Sequence, residues 1–298
     1  MQKSEFNDFF SGMARHHLQR AIRDSLLEDG TDLTSNAVFR PEATLTAAIV
    51  AKEETLMAGL HIAPMVMEET CSIEPGEWDM QAHVAEGDHL SPGTNVASFR
   101  GSARLLLRAE RIMLNFITHL SGVANLTRKY VQALEGTGVR LLDTRKTLPG
   151  LRYPEKYAVL VGGGCNHRKN LAEMLMLKDN HIDAAGSINK AVAMLRKAYA
   201  PCPPIEVECR TAYEVREAVA CGVSRIMLDN MYQKGEAVMR ESLDLVPPDI
   251  EVELSGGVTL DNIGRMARAC GARKPDFISV GRLTHSAPAA DFSMRITP

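Results

Sequence analysis

The chain has 298 residues, enough to bury a substantial core and to build one barrel or two ordinary domains. Hydrophobic residues make up 45% and charged residues 24%, an ordinary globular balance, and a formal net charge of -3 argues against a nucleic-acid coat or a polybasic membrane anchor. No apolar run approaches the roughly 20 residues of a membrane helix, and the N-terminal MQKSEFNDFFSGMARHH lacks a signal-peptide core, so a cytoplasmic address is expected.

In chain order, Met13, Leu18, Ile22, Leu26 and Leu27 fall at helical spacing and predict an amphipathic helix over residues 12–28. Asp32, Thr34 and Ser35 then supply turn and cap chemistry. ATLTAAIVAKEETLMAG opens as a β-rich run, and VAEGDHLSPGTNVASFRG reads as strands broken by Gly and Pro turns. Residues 102–134 read as long helices interrupted near 119–122. An α+β domain followed by a helical connector is the expectation.

From about Val139 the texture changes. The short apolar runs LLDTR, MLMLKD, IEVEC, RIMLDN, EVELSGG and FISVG recur at roughly 20–35-residue intervals, the pitch of βα units in a parallel barrel or doubly wound sheet. Helical stretches such as INKAVAMLRKA, AYEVREAVACG and LDNIGRMARACG separate them. The runs end on Asp143, Lys178, Glu208, Asp229, Ser255 and Gly281. Parallel α/β folds bind ligands at that end of their strands.

Residues 143–181 concentrate Arg145, Lys146, Arg152, Lys156, His167, Arg168, Lys169 and Lys178 among glycines, in a chain that is otherwise slightly acidic. Arg145, Lys146, Arg168 and Lys178, with His167, suit a ligand carrying several negative charges, whereas Lys156 and Lys169 read as solvated or salt-bridged. In SGGVTLDNI, Gly256 and Gly257 offer backbone N–H groups to a phosphate at a helix start, and VGRLTHS repeats the arrangement. Glu208 and Asp229 suit Mg²⁺ or sugar hydroxyls, with a salt bridge to Lys178 as the alternative. A phosphorylated sugar, a divalent metal and a second anion together point to displacement at an activated anomeric carbon. No Ser-His-Asp arrangement, Walker loop or HExxH motif speaks for hydrolysis, ATP cleavage or zinc catalysis. The six cysteines show no CxxC pair and read as reduced and buried; Cys165 lacks a nearby base that would make it a nucleophile.

ERIMLNFITHLSGVA, DTRKTLPGLR, GGGCNHRKNLAEMLMLKDNHI, IEVEC, IMLDN, ELSGGVTLDNI and ISVGRLTHS, in this order over residues 110–286, resemble the signatures of the quinolinate phosphoribosyltransferase family, and LLEDGTDLTS fits as well. The resemblance implies an α/β fold: an N-terminal α/β sandwich over residues 1–118, joined by a C-terminal tail of about 283–298, and an open, seven-stranded-type α/β barrel over 119–282. It implies transfer of phosphoribosyl from phosphoribosyl pyrophosphate to quinolinate with Mg²⁺, releasing pyrophosphate and CO₂. It also implies a homodimer, or a multiple of one, with Arg111 supplied across the interface.

By position, Arg145, His167, Arg168 and Lys178 match the family's quinolinate-binding residues, Thr144 accompanies them, and Lys146 matches a lysine near the reacting groups. Glu208 and Asp229 match the acidic pair serving ribose and metal, so that Lys146, Lys178, Glu208 and Asp229 are the catalytic set. Ser255, Gly256, Gly257, Val280 and Gly281 match the phosphate-facing turns. Arg282 and Cys165 depart from the family's pattern, which has small residues at both places. Three other readings of the same residues are a phosphoribosyltransferase with a different acceptor, such as one associated with molybdate uptake, a non-catalytic sugar-phosphate sensor, and a Schiff-base aldolase acting through Lys178.

Overall fold

The structure, a computed structural model, describes residues 2–297. In the N-terminal part, α1 (Lys3–Phe9), α2 (Gly12–Glu28) and α3 (Leu33–Val38) precede β1 (Thr44–Ala51) and β2 (Thr55–Leu56). Then come α4 (Ala63–Cys71), β3 (Trp78–Ala82), β4 (His89–Leu90), β5 (Asn95–Ser102) and the long α5 (Ala103–Ala133). The remainder runs β6 (Arg140–Leu142), α6 (Arg152–Val161), β7 (Leu175–Leu177), α7 (Asp179–Ala185), α8 (Ile188–Ala198), β8 (Ile205–Cys209), α9 (Ala212–Ala220), β9 (Arg225–Asp229), α10 (Glu236–Asp244), β10 (Glu251–Ser255), α11 (Leu260–Arg268), β11 (Phe277–Ser279), α12 (Arg282–His285) and β12 (Phe292–Thr297).

Two compact units result. The first takes the chain up to Arg128, Thr147–Gly163 and the residues from Arg282; the second takes Lys129–Lys146 and Gly164–Gly281. The first unit is built on an antiparallel sheet of order β12-β1-β5-β3. The predicted helix over 12–28 is α2, and its buried stripe is Ala14, Leu18, Ile22 and Leu26, a strict i, i+4 spacing. Met13 and Leu27, read as part of that stripe, lie 64% and 62% exposed because they flank it. Asp32 caps α3 by accepting the Ser35 N–H at 2.8 Å.

The interruption expected near 119–122 is absent: α5 runs unbroken for 31 residues and passes residue 118 without a boundary. Gly122 serves packing instead of a break, because a Cβ there would collide with the Pro288 carbonyl. The same crossing is tied by the Ala290 N–H, which donates to the Thr118 carbonyl at 2.9 Å. Lys156, expected in solvent or in a salt bridge, is fully buried on α6, a helix buried over most of its surface.

The second unit is the predicted α/β fold. Its six parallel strands, ordered β6-β11-β10-β9-β8-β7, are the six apolar runs, with helices alternating along the chain. Beyond β6, the seventh position holds one parallel bridge, Leu142 to Cys165. The Cys165 N–H donates to the Leu141 carbonyl at 2.8 Å and its carbonyl accepts the Asp143 N–H at 3.1 Å. The departure at Cys165 is thus a backbone pairing at the sheet's edge.

Register sorts the strands' side chains into two faces. Ile205, Val207, Ile226, Leu228, Val252, Leu254 and Ile278 form one face, wholly apolar and buried. The opposite face stacks in rows: Met176 with Glu206 and Arg225, Glu208 with Met227 and Glu253, and Asp229 with Ser255. A polar face inside a parallel sheet is unusual, since such strands ordinarily bury both faces in apolar contacts.

Candidate active site

The polar face opens at its C-terminal end into a cavity of about 540 Å³ formed entirely by the second unit. Of the residues expected from the sequence, Thr144, Arg145, Lys146, His167, Arg168, Lys178, Glu208, Asp229, Ser255, Gly256 and Gly257 line it. Met176, Met227, Asn230, Glu253 and Ser279 line it too and were not expected. Val280 is buried in the sheet, its N–H donating to the Leu142 carbonyl at 2.9 Å, and neither it nor Gly281 is a lining residue. Arg111 stands exposed on α5 in the first unit. Arg282 is likewise exposed, at the start of α12.

One wall is cationic. The loop after β6 carries Arg145 and Lys146, with the Lys146 N–H turned back onto Thr144 Oγ1 at 3.0 Å. Asp143, fully buried at the strand end, organises the facing segment: Oδ1 accepts the His167 N–H at 2.8 Å and Oδ2 the Asn166 amide at 2.7 Å. This fixes where Arg168 leaves the chain, and its Nη1 donates to the Met174 carbonyl at 2.9 Å. The Nε atoms of Arg145 and Arg168 are buried with no hydrogen-bond partner among the described residues. Burial, then the charge of Arg145, lower the Arg168 pKa. Two adjacent guanidiniums with unused donors are arranged to take an anion.

The other wall is acidic. Glu208 and Asp229 present carboxylates from neighbouring strands to the same cavity. Lys178 spans the walls, its Nζ 2.9 Å from Glu208 Oε2, so the salt bridge weighed as the alternative role of Glu208 forms inside the cavity. Asp229 Oδ2 accepts the Asn230 amide at 2.6 Å, and Asn230 holds a left-handed backbone with φ 55°. Gly256 and Gly257 follow with φ 93° and 57°; a Cβ on them would collide with the Asn230 and Gln233 side chains. Ser279 Oγ donates to Ser255 Oγ at 3.1 Å and ties the two glycine-turn strands together.

The floor of the cavity is a layer of buried charge. His167, Glu206 and Glu253 are almost entirely enclosed, with His167 Nε2 3.1 Å from Glu206 Oε2 and 3.5 Å from Glu253 Oε2. Arg225 lies 3.7 Å from Glu253 and 2.7 Å from Glu251. Burial, then the charge of Glu206, push the Glu253 carboxyl well above the usual range. The signal for these residues is in the strands: in IEVEC and EVELS the period-two alternation places Glu206 beside Glu208 and Glu253 beside Ser255 on one face.

Fold and cavity define the class: a parallel α/β enzyme scaffold whose strand ends enclose a site for polyanionic ligands. Models of the quinolinate phosphoribosyl transferase N-terminal and C-terminal domains match residues 32–121 and 123–295. The probable carboxylating nicotinate-nucleotide pyrophosphorylase of Bacillus subtilis (strain 168) is 41% identical over 286 residues, 95% of each chain. The carboxylating nicotinate-nucleotide pyrophosphorylase of Mycobacterium leprae (strain TN) is 37% identical over 94% of this chain and 96% of its own. The crystal structure of NadC from Streptococcus pyogenes superposes with a TM-score of 0.85 at 38% identity, covering 97% of this chain and all of that one. The chain belongs to the quinolinate phosphoribosyltransferase family.

Proposed function

We infer that the protein transfers the phosphoribosyl group of phosphoribosyl pyrophosphate to the ring nitrogen of quinolinate, with loss of the 2-carboxylate, giving nicotinate mononucleotide, pyrophosphate and CO₂. It is a pentosyltransferase of NAD biosynthesis. The observation that carries this reading is one cavity with a cationic wall and an acidic, glycine-rich wall, spanned by Lys178. Arg145, Arg168, Lys146 and Lys178 take the two adjacent carboxylates of the acceptor. Glu208 and Asp229 face the ribose, and the turns at Ser255, Gly256 and Gly257 receive the 5′-phosphate on backbone N–H groups.

The chemistry asks little of a protein base. As pyrophosphate leaves, positive charge develops at the anomeric carbon, and the Glu208 and Asp229 carboxylates stabilise it electrostatically. Ribosylation turns the acceptor ring into a pyridinium, whose positive charge stabilises the electron pair left on C2 when the bond to the 2-carboxylate breaks; that pair then takes up a proton from solvent, so the substrate supplies its own electrostatic sink. Lys146 and Lys178 hold the reacting groups against each other. Glu208 and Asp229 also suit Mg²⁺: both are hard oxygen donors on adjacent strands that open into the cavity. Bound there, Mg²⁺ would neutralise charge on the departing pyrophosphate.

The family resemblance adds Arg111 from the neighbouring chain of a homodimer as a further cation. Its exposure on α5, with no ion pair among the described residues, leaves it available for that role. No helix among the described residues is long and apolar enough to cross a membrane, which accords with a cytoplasmic enzyme. The test is incubation with quinolinate, phosphoribosyl pyrophosphate and Mg²⁺. Nicotinate mononucleotide and CO₂ should form in equal amounts, with no CO₂ when phosphoribosyl pyrophosphate is omitted. Turnover of nicotinate in place of quinolinate, without CO₂, would overturn the reading.

A further inference from the structure

His167, Glu206 and Glu253 each place one ligand-type atom within 4.8 Å of the others, the spacing of a metal site. The proton inventory of His167 excludes that use. Its Nδ1 accepts the backbone N–H of Arg168 at 2.7 Å. A peptide nitrogen can only donate, so Nδ1 bears no proton, and a neutral imidazole then carries its proton on Nε2. That nitrogen has no lone pair to offer a cation; it is a donor, and the atoms facing it are Oε2 of Glu206 at 3.1 Å and Oε2 of Glu253 at 3.5 Å. Neither contact meets hydrogen-bond geometry, so the pairing of Nε2 with the two carboxyl groups is one of proximity and charge.

Two carboxylates fully buried at the floor of the cavity are costly to keep for stability alone, because apolar side chains of the same size would pack there without a desolvation penalty. What they hold in place is chemically specific. The ring of His167 is gripped on one side by the Arg168 peptide and on the other by the carboxylate pair, while Asp143 fixes its backbone. Arg168, the cation whose buried Nε lacks a partner among the described residues, projects from the peptide that this ring fixes.

We propose that Glu206, supported by Glu253, is a positioning residue that locks His167 as the Nε2–H tautomer, so that His167 orients the Arg168 peptide and is not itself one of the cations that neutralise the acceptor. Arg225, paired to Glu251 and near Glu253, offsets the buried negative charge and lets the lock persist. The inference rests on the acceptor-binding role of the cationic wall.

The test has two arms. In the ligand-free protein labelled with ¹⁵N-histidine, His167 should show a pyrrole-type Nε2 and a pyridine-type Nδ1; the reverse pattern, or an imidazolium, overturns the lock. This arm needs no turnover and no variant, so it stands even if the proposed reaction fails. In steady-state kinetics, Glu206→Met removes the acceptor at similar volume and should raise KM for quinolinate about tenfold, leaving KM for phosphoribosyl pyrophosphate within about twofold. Glu206→Gln keeps a carbonyl acceptor toward Nε2–H and should restore most of that loss. A Gln variant as impaired as the Met variant, or equal increases in both KM values, would show that buried charge rather than orientation matters and would overturn the assignment.

Discussion

Both units bury carboxylates, but they satisfy them in different ways. In the first unit Glu86 accepts backbone N–H groups from Gly59 and His61, and Glu155 accepts the Leu148 N–H at 3.1 Å and pairs with His119 at 2.8 Å. Those carboxylates staple backbone segments together. In the second unit Glu206 and Glu253 face a histidine and each other at the floor of a cavity. The first arrangement meets the demand of buried backbone donors, a requirement of folding. The second exists for the side chains above it. The contrast separates buried charge that holds the fold from buried charge that holds the site.

The largest effect expected from this contrast falls on the cationic wall. Arg168→Ala or Lys178→Ala should lower kcat/KM by about 10²–10³ and change stability by no more than about 0.5 kcal/mol, since both side chains are partly exposed. Activity and urea unfolding measured on the same preparations check this; near-normal turnover in both variants would sink the site. Under the proposed sharing of sites across a homodimer, mixing an Arg111→Ala chain with a Lys178→Ala chain should restore activity, because a hybrid dimer then contains one undamaged site. Absence of rescue would place Arg111's action within its own chain.

A smaller, purely structural effect is expected at Glu86. Burial, partly opposed by the N–H groups it accepts, pushes its carboxyl up to about 7 from 4.5. The folded state therefore binds this proton more tightly than the unfolded chain does. Its contribution is fully present below about pH 4.5 and is lost as pH rises through about 7, a change of about 3 kcal/mol. Glu86→Gln keeps a carbonyl for the backbone donors and has nothing to titrate. Urea-unfolding curves from pH 4.5 to 8 should show the unsubstituted protein losing that stability relative to the variant, with nicotinate mononucleotide formation unaffected. Parallel curves would remove Glu86 from the comparison.

Much of this was legible in the sequence because its signals are local. Each apolar run of the second unit became a strand, and four of their ends, Lys178, Glu208, Asp229 and Ser255, with the basic stretch after Asp143, line the cavity's two walls. What escaped depends on distant contacts. Gly122 reads as a helix breaker until the Pro288 carbonyl is seen beside it. Lys156 reads as solvated or salt-bridged, and the solvated reading fails because its helix is enclosed. Asn230 gives no sign of its left-handed backbone, and the seventh strand position at Cys165 is too short to carry a pattern. Glu253 and Met227 were readable from strand alternation, but attention to strand ends passes over the row beneath them.

The central claim, that one wall grips the dicarboxylate and the other the phosphoribosyl group, is tested most directly by calorimetric titration of quinolinate without the second substrate. Arg168→Ala should weaken binding at least about tenfold, while the doubly neutralised Glu208→Gln/Asp229→Asn protein should bind quinolinate as tightly as the unsubstituted protein or more so. Loss of quinolinate binding in the acidic-wall variant, with Arg168→Ala unaffected, would contradict the division of the cavity.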